Sequence, residues 1–566
     1  MEITFLGHAG MFVETRHGSV LSDPWFNPAY YASWFPFPSN DGLDLAKYAN
    51  PTYLYVSHLH HDHFDPDFLR DHVSKDTTVI LPDYPVDALE VAMRDLGFTR
   101  FLRTRNGEPV TVDGLRLAVV ALVAPVDGPL GDSGLLLDDG ETRLYDQNDS
   151  RPIDFEAIHA FGPLDAHFLQ FSGAIWYPMV YREMPLRMRD TLAARKRENG
   201  QARALRYVRE CGASFVVPSA GPPCFLDDDL YHLNDFDRDP VNTFPDQSVF
   251  LDYLREHGVA GSQLMIPGST ATVTPGRFES RHPLPDDAVA RIFTEKRAYL
   301  DAYQERKRPL IAEIRASWPR GQVDIPTALK EWFEPLLALA DLTCVGINGR
   351  VVLDLETTGV VIDFQERRVY PWSGEAWEYR FRIPAPLVED CILAHKVDWI
   401  NEIFLSCRFE AARTGGYNEH VYNFFKCLSP ERIEYLEGYY AEKDPEQQFW
   451  ETHGYRLQRR CPHLKADLTR FASIEDGVLT CSLHGWQFEL ETGRCLTSDG
   501  RRLYSRKLGA DGEPIEPVEV GADGASAGAA VASTRTSSGA TIVDKCHDCW
   551  YRAGDLPRTR TGSGGE

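Results

Sequence analysis

No stretch of about 18 consecutive apolar residues occurs in the chain, which excludes a membrane-spanning helix of ordinary length. The start, Met1-Glu-Ile-Thr-Phe-Leu-Gly7, lacks a basic region and a long apolar run. It reads as the first strand of a fold rather than an export signal, so the cytoplasm is the expected compartment. Positive charge is in deficit: 59 Lys and Arg against 84 Asp and Glu leave a formal net charge of −25. That argues against non-specific binding to polyanions, so neither nucleic acid nor a membrane is an expected partner. The 11 cysteines are irregularly spaced and suggest no disulfide framework. No Gly-x-Gly-x-x-Gly follows a strand, so an internal nicotinamide or flavin site is unsupported.

What is present is ordinary globular composition, 43% hydrophobic and 25% charged, over 566 residues. A chain of that length exceeds one hydrophobic core and predicts two to four domains. Over residues 1–280, short apolar strands such as Tyr53-Leu-Tyr-Val56 and Leu115-Arg-Leu-Ala-Val-Val120 alternate with loops and helical stretches, which argues α/β layers. Residues 281–444 turn mainly helical and read as an accessory or substrate-binding region. A strand pair interrupts them at Arg350–Leu355 and Gly359–Phe364. Residues 445–518 return to short strands and turns. From 519 to 566 the chain is rich in Gly, Ala, Ser and Thr, a composition that buries too little apolar surface to order itself. That tail holds Cys546-His-Asp-Cys549, which is half of a zinc site with no second pair after it.

In the third region Cys461-Pro-His463 is followed, after seventeen residues, by Cys481-Ser-Leu-His484. Two short loops, each offering one thiolate and one imidazole, can hold a 2Fe–2S cluster or a Cys₂His₂ zinc ion. A classical zinc finger orders its ligands Cys, Cys, His, His with the second pair on a helix. Here the order is Cys, His, Cys, His, and the flanks Val478-Leu-Thr480 and Trp486-Gln-Phe-Glu-Leu490 look like strands. The arrangement resembles the Rieske family, and His484-Gly-Trp486 is like its oxygenase-associated members. The resemblance implies an all-β Rieske domain with Cys461, His463, Cys481 and His484 as cluster ligands. Only Cys495 lies nearby, so the disulfide that buttresses some Rieske clusters is not expected.

In the first region His58-Leu-His60-His61-Asp62-His63 directly follows a strand. Clustered imidazoles and a carboxylate at a strand end are costly to bury without a partner, which points to metal. Imidazole suits zinc and iron alike, and added carboxylate favours iron. The H-x-H-x-D-H pattern resembles the metallo-β-lactamase fold, an αββα sandwich, and implies His58, His60, Asp62 and His63 as ligands. Further segments recur in order: Ser22-Asp-Pro-Trp-Phe-Asn-Pro-Ala-Tyr30, Leu144-Tyr-Asp-Gln-Asn-Asp149-Ser-Arg-Pro152 and Val217-Pro-Ser-Ala-Gly221. Together they look like the catalytic domain of the CMP-N-acetylneuraminate hydroxylases, whose Rieske domain is N-terminal, the reverse of the order here. Carried over by position, Asp149 is the downstream metal carboxylate, with Asp146 as runner-up. A third-motif histidine is not evident; Asp132 and Asp127 occupy that region. The late histidine is missing from Val217–Gly221, and His232, His8 and His167 are weaker candidates.

A Rieske cluster moves single electrons, so its companion metal site is one that needs reducing. The expectation is a multidomain α+β enzyme, a Rieske-coupled non-haem iron monooxygenase with one or two irons. It would use O2 to C- or N-hydroxylate a small polar substrate derived from a nucleotide sugar or an amino acid. Electrons would come from a ferredoxin or similar carrier with an NAD(P)H reductase. The rival is a zinc hydrolase with the Rieske domain as redox sensor. No catalytic side chain beyond the ligands is assigned.

Overall fold

The computed structural model describes residues 1–122, 131–153, 155–172, 176–356, 358–441, 448–463, 465–483, 485–498, 501–509 and 512–515. The calls on Asp127, His484, Cys546 and Cys549 lie outside the described residues. The chain divides into two compact units, residues 1–414 with 419–443, and residues 415–418 with 444 onward.

The first unit begins with two sheets packed face to face. One is built from β1 (Glu2–Gly7), β2 (Gly10–Thr15), β3 (Gly18–Ser22), β4 (Tyr53–Tyr55), β5 (Thr78–Leu81) and β6 (Arg100–Arg103). The other comprises β7 (Val110–Val112), β8 (Leu115–Leu122), β9 (Asp132–Asp138), β10 (Arg143–Asn148), β11 (Ala166–Gln170) and β12 (Phe215–Ser219). Strands β13 (Thr270–Thr274) and β14 (Arg277–Arg281) extend the first sheet beyond β1, giving the order β14-β13-β1-β2-β3-β4-β5-β6; the second runs β12-β11-β10-β9-β8-β7.

Strand alternation divides the apolar residues between two cores. Ile3, Val20, Tyr53, Tyr55 and Ile80 face inward onto Leu117, Val119, Leu135, Leu137 and Phe168 of the opposite sheet. Their neighbours Leu6, Leu21, Leu54, Val79 and Leu81 face outward, where Phe68 and Leu69 of α1 (Pro66–His72) and Leu89 and Met93 of α2 (Ala88–Asp95) cover them. Three helices, α3 (Glu156–Phe161), α4 (Leu186–Cys211) and α5 (Gln247–Glu256), lie against β8, β11 and β12 of the second sheet. The result is the αββα sandwich of the metallo-β-lactamase fold. Two further helices, α6 (Asp286–Thr294) and α7 (Lys296–Ser317), bury Val289, Ile292, Leu300 and Tyr303 against Phe35, Phe37 and Cys224 of the sandwich.

The helical middle also contains a sheet. Between α8 (Ile325–Leu339), α9 (Asp341–Ile347) and the later helices run β15 (Arg350–Asp354), β16 (Gly359–Asp363), β17 (Arg368–Pro371), β18 (Tyr379–Arg382) and β19 (Glu410–Arg413). They pair in the order β17-β16-β15-β18-β19, so the strand pair legible in the sequence is the centre of five strands. The short, charge-bearing outer strands, such as Tyr379-Arg-Phe-Arg382, carry little pattern on their own. Helix α10 (Ala385–Leu393), a π-helical turn at Ile400–Phe404, α11 (Glu419–Lys426) and α12 (Pro430–Ala441) complete the region.

The second unit holds two three-stranded sheets. One joins β20 (Phe449–Thr452), β21 (Tyr455–Gln458) and β25 (Ser505–Lys507); the other joins β22 (Ala472–Glu475), β23 (Val478–Cys481) and β24 (Trp486–Glu489), with the single turn α13 (Leu468–Phe471) before it. No helix among the described residues is long and apolar enough to cross a membrane.

Candidate metal centre

The loop after β4 is anchored at both ends before its histidines are considered. Asp65 caps α1 through the Phe68 amide (3.0 Å) and also accepts from the Phe26 (2.9 Å) and Asn27 (2.8 Å) amides. At the other end Asp23 accepts from the Ser57 amide (2.7 Å) and hydroxyl (2.6 Å). The Asp23 carboxylate also lies 2.8 Å from Nδ1 of His63 and so fixes that ring. Tyr30 donates to Asp62 (2.6 Å). The Ser22–Tyr30 segment therefore clamps the histidine loop, a role its composition does not announce.

Two groups of potential ligands result. His58, His60 and Asp149 offer ligand atoms within 4.8 Å of one another, and so do His8, Asp62 and His63. Nε2 of His58 is 2.6 Å from Nδ1 of His60 and 3.8 Å from Oδ2 of Asp149. Nε2 of His8 is 2.8 Å from Oδ2 of Asp62, which is 3.7 Å from Nε2 of His63. The groups adjoin through Asp149, whose Oδ1 is 3.6 Å from Nε2 of His63. Asp149 reaches this position because the β10–β11 ladder slips between Asp146 and Asn148, and Asn148 takes a left-handed φ of 44°.

His8, one of three weaker candidates, stands where the late histidine is lacking. It occupies the β1–β2 turn at φ 54°, and its carbonyl accepts from the Ala220 amide (2.8 Å) in the loop where that histidine would be sought. The turn needs Gly10, since a Cβ there would meet the Gly7 carbonyl at 3.0 Å and the Asp23 carbonyl at 3.1 Å. Asp132 takes a different place, with Oδ1 3.3 Å from Nδ1 of His58 and outside both groups, while the hydrogen bond that orients the ring is to Ser57 Oγ at 2.9 Å. Asp146 accepts from Ser22 (2.6 Å), and burial with the Asp23 charge raises its pKa to about 8. His167 is buried in the second sheet against Gln147 (2.8 Å), and burial lowers its pKa to about 3. His232 lines a separate surface cavity with Arg189 and Asp237. None of these three joins either group.

The electrostatics suit a cation. Burial, and then the charge of His63, lowers the pKa of His58; burial and then His58 lower that of His60 to about 3. Both imidazoles are thus held in the neutral, ligating form. Burial opposes protonation of His63, but Asp149, Asp62 and Asp23 outweigh it and raise its pKa well above the ordinary value. A proton on His63 does in this pocket what a divalent cation would do. Nε2 of His60, Nε2 of His63 and Oδ1 of Asp149 are buried without hydrogen-bond partners, a costly state that coordination relieves. The residues present fit a metal.

The middle region reaches this loop. Glu402, on the π-helical turn, lies 2.7 Å from Nε2 of His61 and accepts from Lys396 (3.0 Å). Burial would raise the Glu402 pKa, but His61 and Lys396 outweigh it and hold it near 2. No local sequence signal marks Glu402, because its partner is more than 300 residues away.

In the second unit Cys461 and His463 follow β21 and Cys481 ends β23, all three buried. The first loop closes through Cys461 N–H to Ala466 O (2.9 Å) and Lys465 N–H to Cys461 O (3.0 Å). The second is fixed by Ser482 N–H to Phe471 O and Gly485 N–H to Cys481 O, both 2.7 Å. Trp486 stacks on His463 at 4.1 Å and 9°. Pairing opposite Cys481 on β24 places that indole between the two loops, so it braces one loop against the other.

Known families and structures bear on both units. A family model described as "Rieske [2Fe-2S] domain" matches residues 449–503, and one described as "Rv3818-like, SCP2-like domain" matches 325–442. The "Putative Rieske 2Fe-2S iron-sulfur protein Rv3818" of Mycobacterium tuberculosis H37Rv is 48% identical over 516 residues, covering 90% of this chain and all of the relative. A "Putative Rieske 2Fe-2S iron-sulfur protein" from Mycolicibacterium smegmatis is 49% identical over 522 residues, with 90% of this chain and 100% of the relative covered. Among solved structures, Igni18, a metallo hydrolase from Ignicoccus hospitalis, covers 50% of this chain and 98% of its own at 17% identity and a TM-score of 0.33. CmlA, a diiron β-hydroxylase from Streptomyces venezuelae, covers 50% and 54% at 16% identity and a TM-score of 0.31.

Proposed function

The chain belongs to the family of Rieske 2Fe–2S iron–sulfur proteins that it matches over their full length, and from that premise we propose that it is a Rieske-coupled non-haem iron monooxygenase. The observation that carries this reading is the pair of adjoining groups His58/His60/Asp149 and His8/Asp62/His63 on a chain with a Rieske domain. Each group is two histidines and one carboxylate, the donor set of iron sites that leave positions open for oxygen. When bound, iron at this centre supplies dioxygen activation and the cluster supplies single electrons. Overall, one oxygen atom of O2 enters a C–H or N–H bond of the substrate and the other leaves as water, with two electrons and two protons taken up.

The residues do the rest. His58, His60 and Asp149 would hold one metal position, and His8, Asp62 and His63 the other, with Asp149 between them. Ser57, Asp23 and Tyr30 fix the orientation of His58, His63 and Asp62, which keeps the donors preorganised, and Glu402 holds the loop between them through His61. Cys461, His463, Cys481 and His484 would hold the cluster, with Trp486 bracing His463. Electrons would enter from a ferredoxin-like carrier and its NAD(P)H reductase. The resemblance to the CMP-N-acetylneuraminate hydroxylases supports a small polar substrate of the nucleotide-sugar kind, with an amino-acid derivative as the alternative.

Metal analysis tests the reading. Protein purified anaerobically is expected to contain iron beyond the two cluster atoms, and that excess is expected to vanish in His58→Ala/His60→Ala protein. Zinc in place of the excess iron would turn the assignment to the hydrolase.

A further inference from the structure

The carboxylate of Asp149 adjoins both ligand groups, and a chain of buried polar side chains holds the turn that carries it. In the register of β10 against β11, Asp146 faces Phe168 and Asn148 faces Leu169, so Gln147 is the extra residue of a bulge. The turn that follows is closed by Ser150 N–H to Gln147 O (3.1 Å), with Asp149 as its third residue. The Gln147 side chain spans the same turn, its amide nitrogen donating to the Ser150 carbonyl (2.8 Å). Asn148 ties the turn to β9. Its Oδ1 accepts from the Asp149 amide (2.7 Å) and its Nδ2 donates to the Ser133 carbonyl (2.9 Å). The Ser133 hydroxyl in turn donates to the carbonyl of Ser57 (2.9 Å), the residue that orients His58. Asp149 and His58 are thus placed relative to each other through Ser133.

His167 is the far end of this chain. Its neighbour Phe168 faces the core between the sheets, so by strand alternation the imidazole points away from it. There it is buried and stacked on Tyr145, at 5.1 Å and 15°. Nε2 of His167 is 2.8 Å from Oε1 of Gln147. Because the Gln147 amide nitrogen is committed to a carbonyl, Oε1 accepts and Nε2 of His167 carries the proton. Burial keeps the ring neutral, and its Nδ1 is buried with no hydrogen-bond partner. Packing against Tyr145 alone would be served by Phe, without the cost of an orphaned ring nitrogen. What the imidazole adds at this position is the hydrogen bond that fixes Gln147.

We propose that His167 is a positioning residue for the metal centre: through Gln147 it fixes the turn that presents Asp149, and so sets how tightly and in what geometry metal is held there. This rests on the metal-centre reading. Competition between a chelator and the full-length protein for Co(II), after removal of the N-terminal metal and with the Rieske cluster left in place, tests it. The Co(II) absorption bands, which report ligand geometry, are read alongside. His167→Phe keeps the stack on Tyr145 and removes the donor. It is expected to weaken Co(II) binding by about 10- to 100-fold and to shift the bands. His167→Gln, whose amide can donate from near the Nε2 position, is expected to restore most of the lost affinity and the original bands. Gln147→Met is expected to lose at least as much as His167→Phe. The double variant is expected to lose no more than Gln147→Met alone, because both substitutions cut the same chain of bonds. Losses that add in the double variant would overturn the proposal, and so would unchanged affinity and bands in His167→Phe. Equal losses in His167→Phe and His167→Gln would also overturn it, by assigning the ring to packing. Should His167→Phe fail to fold, Gln147→Met and His167→Gln carry the test, and unchanged affinity in Gln147→Met overturns the proposal. Unsubstituted protein that binds no Co(II) would discard the metal-centre reading and the proposal with it. Unsubstituted protein that binds Co(II) no more tightly than the variants would discard the proposal alone.

Discussion

The proposed cluster ligands come from two neighbouring loops of one small all-β unit, each loop closed by its own backbone hydrogen bonds. The proposed iron ligands come instead from three strand ends of the sandwich, the β1–β2 turn, the loop after β4 and the bulged end of β10. A fourth element, the π-helical turn of the middle region, holds the loop through Glu402. A ligand set confined to short loops depends on local geometry. One spread over a domain depends on every contact that keeps the strand ends in register. The first can be lost by a single side chain; the second can be degraded from far away.

The largest effect expected is that of Cys461→Ser. It should abolish the rhombic paramagnetic signal of a mixed Cys/His cluster while iron at the N-terminal site stays bound, because the two units have separate cores. Loss of both irons together would break the distinction between the two regions. Next comes His8→Ala. It should remove the metal held by His8, Asp62 and His63 and leave the one held by His58, His60 and Asp149, so non-cluster metal should fall by half. Full retention would assign His8 to packing on Trp25, which its ring meets edge-on at 5.0 Å.

That ordering matches what the sequence made legible. The spacing of Cys461, His463, Cys481 and His484 and of the His58–His63 loop is local, and a reader can match it without any fold. Short apolar strands interspersed with helical stretches likewise made the α/β layers readable, and the resemblance carried by the His58–His63 loop implied the sandwich. His8 reads as only a weak candidate, since a lone histidine in a Gly-His-Ala turn has no partner in its own neighbourhood. Asp132 and Asp149 are both aspartates at strand ends. Only the three-dimensional arrangement sets Asp149 beside His60 and His63 and Asp132 behind His58. Glu402 and the outer strands of the middle sheet were unreadable for the same reason, being defined by distant partners.

The smallest effect sharpens the point about distance. Glu402→Ala leaves every proposed ligand in place and removes the contacts to His61 and Lys396. Outer-sphere partners of metal sites are typically worth about 10- to 100-fold in metal affinity or activity. Competition with a chelator should show a weakening within that range, with the Rieske spectrum unchanged. Affinity equal to that of the unsubstituted protein would mean that the middle region touches the loop without tuning it.

The claim that the two metal-binding regions work as one enzyme is tested most directly by the rate at which dioxygen reoxidises the reduced cluster. Reduced protein would be mixed with air-saturated buffer and followed by the cluster's visible absorbance, in the unsubstituted and the His58→Ala/His60→Ala forms. If electrons leave through the N-terminal metal, reoxidation should slow when its ligands are replaced. Equal rates in the two proteins would contradict the coupling.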